Sequence, residues 1–190
     1  MNQAISGAGL FLVQAVITLA TFAFLLRFIL QAVRADFYNP ITQAIVRITD
    51  PVLKPARKVI PPIAGLDVAS LLLTLLLQFA LVFILFSGVS PLTAAVLASF
   101  RLLTLVLNIY FWALIIIVVI SWIAPGSRHP GADLLHQLTE PLLAPFRRLI
   151  PPVGGLDFSI MVVFLVLVMI REYLLPGIAF ELGIGRAALG

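Results

Sequence analysis

Few side chains in this 190-residue chain have the makings of chemistry. There is no cysteine, which excludes disulfides, iron–sulfur clusters and thiol catalysis. The two histidines, His129 and His136, stand seven residues apart with one acid, Asp133, between them. A metal centre needs three or four ligands at fixed spacing, and this trio makes a poor start on one. No glycine-rich phosphate loop, serine elbow or acid pair on a common segment accompanies them. The chain is therefore read as a non-enzyme with no cofactor, no metal and no nucleic-acid partner.

Three other sets of residues carry the functional reading. The basic pairs Arg57-Lys58 and Arg147-Arg148 could hold anionic headgroups or a protein partner, or could simply anchor their loops on one side of a membrane. Asp67 and Asp157 each stand just before a long apolar run, the place of a helix N-cap; the alternative is ion or proton ligation. The third set lies inside apolar runs. Ser70, Thr74 and Gln78 recur at helical spacing, as do Gln14, Thr18 and Thr21, and Arg101, Thr104 and Asn108. Gln14, Ser70, Thr74, Gln78 and Asn108 thus form a candidate intramembrane polar cluster. Such groups avoid lipid. They either hydrogen-bond helix to helix, worth about 1 kcal/mol per pair, or line a hydrated ion path.

The elements that must position these residues follow from composition. Hydrophobic residues make up 62% of the chain and charged ones 11%, against about 45–50% and about 25% in ordinary globular domains. Twenty charged side chains, twelve basic and eight acidic, cannot cover a water-soluble fold of this size. The chain must sit in a bilayer. Four apolar runs stand out: Gly9 to Val33, Val68 to Phe86, about Leu102 to Ile123, and Phe158 to about Leu175. A bilayer core about 30 Å thick takes about 20 helical residues, and each span must satisfy its own backbone groups, so the runs are helices. The fourth spans if Arg171 and Glu172 sit near an interface or pair. The first has no positive charge before it and is too long for a signal peptide, so it reads as a retained span. Residues 91–100 either extend the third span or lie on the outer surface, and the tail from Pro176 is expected to be ordered only in part.

Basic residues orient the spans. Arg34, Arg47, Lys54, Arg57 and Lys58 lie between spans one and two, and Arg128, Arg147 and Arg148 between spans three and four. The other side has Arg101 and Arg186. Eight against two places both long loops in the cytoplasm and both termini outside. Arg27, near the cytoplasmic end of its span, is expected to snorkel.

The chain also repeats. Residues 49–67, TDPVLKPARKVIPPIAGLD, align with 139–157, TEPLLAPFRRLIPPVGGLD, at a fixed offset of ninety, and eleven of nineteen positions are identical. This gives two units, 1–90 and 91–190, each of span, amphipathic loop helix and span. Each unit has an even number of spans, so the repeats are parallel, related by an axis along the membrane normal. The polar stripe escapes the repeat: Ser70, Thr74 and Gln78 become Ile160, Phe164 and Val168. Within the loops, Thr49-Asp50-Pro51 and Thr139-Glu140-Pro141 read as helix starts, a cap followed by proline at the first helical position. Pro55 and Pro145 are expected to bend the short helix, and Pro61-Pro62 and Pro151-Pro152 to end it. Gly65 and Gly155 permit a turn. The helix is read as interfacial or re-entrant against anionic headgroups.

The stretch from Glu140 to Ser159, EPLLAPFRRLIPPVGGLDFS, resembles the YggT family of small bacterial and plastid membrane proteins, as does the preceding Ser121-Trp122. The first copy departs from the pattern at Asp50, Lys58, Ala64 and Ala69. The resemblance covers nearly the whole chain as two tandem copies. It implies a multi-spanning protein of the bacterial inner membrane or thylakoid, without an established enzymatic activity. Roles connected with such proteins are osmotic and potassium tolerance, cell division or nucleoid organisation, and cytochrome assembly in plastids. Two readings follow: a non-enzymatic scaffold, assembly or membrane-organisation factor acting through the basic loop helices, or a small potassium or proton channel or transporter acting as a homo-oligomer.

Overall fold

The computed structural model describes residues 2–182, apart from 87, 125, 127–128 and 151–156, and gives only the backbone of residues 2–6. Pro151-Pro152, Gly155, Arg128 and the tail from residue 183 lie outside the described residues. The elements are α1 (Asn2–Ala32), α2 (Pro40–Val59), α3 (Val68–Leu85), α4 (Pro91–Ile123), α5 (Pro130–Leu149), α6 (Phe158–Met169), a π-helical turn (Ile170–Leu174) and α7 (Leu175–Glu181). Among the described residues, four stretches are long and apolar enough to cross a membrane: Gly7–Ala32, Val68–Leu85, Pro91–Ile123 and Phe158–Glu181. The chain is an all-α membrane protein of two repeats, α1–α3 and α4–α6, each a span, a loop helix and a span.

Residues 91–100 extend the third span. Ser90 caps α4, its Oγ accepting from the Thr93 amide at 3.1 Å, and the helix then runs unbroken to Ile123. The fourth span passes Arg171 and Glu172 and ends at Glu181, six residues beyond its expected end. Pro176 cannot donate to the carbonyl four residues back, and its ring crowds that carbonyl. The wider π turn just before it relieves the crowding, with the Leu175 amide bonded to the Ile170 carbonyl.

The loop helices begin ten residues earlier than their Thr-acid-Pro signals suggest. Asn39 caps α2, its Oδ1 accepting from the Ile41 amide at 2.9 Å, and His129 caps α5, its Nδ1 accepting from the Gly131 amide at 3.1 Å. Pro40 and Pro130 hold the first helical positions. Thr49 and Thr139 are buried inside their helices, and each hydroxyl donates back to the carbonyl four residues earlier, Ile45 at 2.7 Å and Leu135 at 3.0 Å. They are not caps. The helices continue through Pro51, Pro55, Pro141 and Pro145 because these residues lie on the exposed side, where water can serve the carbonyls they leave unbonded. Ile60 then closes α2, and Pro61-Pro62 follow.

The N-termini of α2 and α5 meet. Asn39 Nδ2 donates to the Pro130 carbonyl at 2.7 Å, and the Asp36 amide to Gln137 Oε1 at 2.7 Å. Above this contact Leu25, Ile29 and Leu30 of α1, Ile109 and Ala113 of α4, and Leu134 and Leu138 of α5 form one core cluster. The halves are not equally tight. In the first, α1 packs along α3 extensively; in the second, α4 and α6 touch over a shorter length.

Candidate functional site

The repeated loop builds the same device twice. Each loop helix carries an arginine in its last turn, and an aspartate ten residues later caps the following span. Arg57 Nε donates to Asp67 Oδ1 at 3.2 Å while its Nη2 donates to Oδ2. Arg147 Nε donates to Asp157 Oδ2 at 2.7 Å. Both aspartates also cap: Asp67 Oδ1 accepts from the Ser70 amide at 3.4 Å, and Asp157 Oδ1 from the Ser159 amide at 3.0 Å. One carboxylate thus ends one helix and starts the next. The turn between them in the first copy uses left-handed backbone at Ala64 (φ 53°) and Gly65 (φ 80°). Gly65 suits that region, and Ala64 stands where the second copy has a glycine.

Electrostatics follow the geometry. Burial pushes the Asp67 carboxyl up, but the hydrogen bond and charge of Arg57, with the Ser70 amide, hold it below the usual carboxylate range. Asp157 shows the same balance: burial raises it, and Arg147 with Ser159 brings it below the usual range. Of the four basic candidates, Arg57 and Arg147 are therefore fixed on carboxylates, Arg147 also through Nη1 on Glu140 Oε2. Lys58 and Arg148 are exposed.

Arg27 does not snorkel. It is 92% buried, and its Nη2 donates to Asp50 Oδ1 at 3.3 Å, tying α1 to α2. Asp50 also receives Lys54 Nζ at 3.2 Å. The second copy has Ile117 where Arg27 stands, so Glu140 turns to Arg147 instead.

Among the described residues, no hydrogen bond links the side chains of the candidate intramembrane polar cluster to one another. Ser70 Oγ donates to the Asp67 carbonyl at 3.0 Å and Thr74 Oγ1 to the Ser70 carbonyl at 2.7 Å, both within their own helix. Gln78 bridges helices, accepting from Arg101 Nε at 3.3 Å. Asn108 lines an apolar groove of about 530 Å³ between α1, α4 and α5, with its Oδ1 lacking a hydrogen-bond partner among the described residues. Gln14 is half-buried on α1. His129 is accounted for by capping, and His136 is exposed beside a polar hollow of about 460 Å³ with Asp36, Asp133 and Gln137. Every member of the two clips is a candidate on sequence alone, but their pairing is not. The shared ten-residue spacing was the available signal. Nothing local in the sequence flagged the Arg27–Asp50 pair, whose members lie 23 residues apart.

The repeat seen in sequence and fold has a counterpart among known proteins. The CCB3/YggT family model matches residues 6–87 and again residues 96–178. A Pseudomonas aeruginosa protein named PA0392 is 43% identical over 182 residues, 93% of this chain and 92% of its own. The protein named YggT in Escherichia coli (strain K12) is 40% identical over 162 residues, 85% of this chain and 86% of its own. The Arabidopsis thaliana protein named YlmG homolog protein 2, chloroplastic, is 43% identical over 61 residues, 32% of this chain and 24% of its own. No solved structure matches. With both repeats matched and relatives aligned along most of its length, the chain belongs to the CCB3/YggT family.

Proposed function

We propose that this protein is a non-enzymatic membrane-organising scaffold of the bacterial inner membrane, with both loop helices on the cytoplasmic surface and both termini outside. The observation that carries the reading is the division of α2 into three faces. Thr42, Thr49 and Leu53 are buried against the protein. Ile41, Ile48, Val52 and Val59 make an exposed apolar strip, spaced 7, 4 and 7 residues apart and so nearly in line on a helix. Arg47, Lys54 and Lys58 occupy the third face. A helix so divided suits the headgroup boundary, with the apolar strip among acyl chains and the cations among anionic headgroups. Arg148 extends the basic surface at the same place in the second repeat.

The eight loop cations support the cytoplasmic orientation by the positive-inside rule. Each exposed cation near an anionic surface contributes about 1 kcal/mol. Full-length protein extracted with its surrounding lipid should carry anionic phospholipid above its share of the bulk membrane. The double variant Lys58→Glu/Arg148→Glu should lose that enrichment several-fold while keeping its unfolding temperature. Unchanged enrichment in a folded double variant would exclude the loop helices as the lipid-organising surface.

A further inference from the structure

The two repeats differ in a way their sequences explain. Where α3 carries Ser70 and Thr74, α6 carries Ile160 and Phe164. Small side chains let membrane helices approach closely, and bulky ones hold them apart. Between α4 and α6 a groove of about 740 Å³ results, walled by Leu114, Val118, Ile160 and Phe164. Pockets that take small ligands run from about 300 to 1,000 Å³. Toward the membrane interior Phe164 stacks on Phe111, ring centroids 5.1 Å apart. At the other end the groove reaches polar groups, Arg147, Asp157, His136 and Ser121, with Trp122 exposed beside them. An apolar slot with a polar mouth and a boundary tryptophan has the layout of a lipid's own two halves.

We propose that this groove binds one phospholipid, its acyl chain between α4 and α6 and a zwitterionic headgroup with a primary ammonium at Arg147 and Glu140. Arg147 commits Nε to Asp157 and Nη1 to Glu140. A guanidinium has five N–H donors, so others are left for a phosphate oxygen. Glu140 is half exposed and can accept from an ammonium. The three groups together carry one positive and two negative charges. This ledger disfavours a net anionic headgroup and suits one that brings both signs. A choline headgroup has no N–H to donate to Glu140. The site is independent of the exposed cations of the loop helices.

The test is native mass spectrometry of full-length protein, delipidated in mild detergent and offered phosphatidylethanolamine, phosphatidylcholine and phosphatidylglycerol in equal amounts. The adduct held in the groove, the part that a filled groove loses, should be phosphatidylethanolamine about tenfold over either of the others, whereas anionic lipid on the loop-helix cations stays bound. Ser121→Phe, which fills the groove mouth, should lose that adduct. Glu140→Gln should keep a bound lipid and lose the preference for ethanolamine over choline. Equal shares of the three lipids in the adduct that Ser121→Phe removes, or an undiminished adduct in Ser121→Phe, would overturn the proposal. Should Ser121→Phe fail to fold, Glu140→Gln decides, and an unchanged preference there overturns it too.

Discussion

A carboxylate at a helix N-cap is stabilised by free amides, and a guanidinium laid on the same carboxylate adds a charge-assisted pair. Asp67 and Asp157 hold both positions, which gives the basic motif a structural task before any functional one. The sign of the resulting pH dependence is fixed. Both folded carboxyls sit below their usual values, so their contribution is complete above the unfolded value of about 3.9 and is lost as pH falls through the folded value. Wild-type protein should therefore lose stability below about pH 4. Asp67→Asn keeps a cap but breaks the ion pair, and should cost about 2 kcal/mol at neutral pH. Asp157 has a more exposed side chain, 22% against 1%, and its substitution should cost about half as much. Chemical denaturation in detergent from pH 7 to 3 checks both. The wild-type and Asp67→Asn stabilities should converge in acid, and a constant gap across that range would mean that the ion pair is not the source of the difference.

Between elements, the pin that joins α1 to α2 is the Arg27–Asp50 pair. Both side chains are largely withdrawn from solvent, 10% and 20% exposed, and Arg27 Nη1 already lacks a hydrogen-bond partner among the described residues. Breaking such a pair leaves one uncompensated buried charge, which costs about 3–5 kcal/mol, whereas replacing both partners by apolar residues is often neutral. Asp50→Ala should thus destabilise by about 3 kcal/mol, and Arg27→Met/Asp50→Leu should recover most of it. A thermodynamic cycle over the two sites reads the coupling directly, and additive single and double variants would remove the pin from the account. The same elements show what the sequence makes legible. Spans are readable because 18 to 33 apolar residues have one physical solution in a bilayer. The loop helices are readable in kind but not in extent. Thr49-Asp50-Pro51 and Asn39-Pro40 send the same local signal, polar cap then proline, and the nearer one masked the true start. Only packing decides between them, through the meeting of Asn39 with Pro130 across the two repeats. His129 has no legible role in the sequence for the same reason: it caps a helix that starts at Pro130, ten residues before the Thr-acid-Pro signal.

For the molecule as a whole, duplication supplies a frame and divergence supplies the differences between its halves. The motif from residue 49 to 67 was kept because each copy must close a helix on the next span, and the arginine–aspartate clip does this in both. The spans were free to drift, so Arg27, Ser70 and Thr74 in one half face Ile117, Ile160 and Phe164 in the other. Such drift is tolerable only if both halves keep the same direction through the membrane, since the α2–α5 contact brings the two loop helices together on one side. The chain has no cysteine, so single cysteines can report sidedness without background. Lys58→Cys and Arg148→Cys lie on exposed ends of the two loop helices, and Ser90→Cys lies between the repeats, also exposed. In intact spheroplasts an impermeant maleimide should label position 90 alone, and positions 58 and 148 should react together once the membrane is opened. Labelling of 58 and 148 from outside would reverse the orientation and keep the parallel repeats. Labelling of one of them without the other would break the parallel relation itself, because two halves of two spans each cannot place equivalent loops on opposite faces.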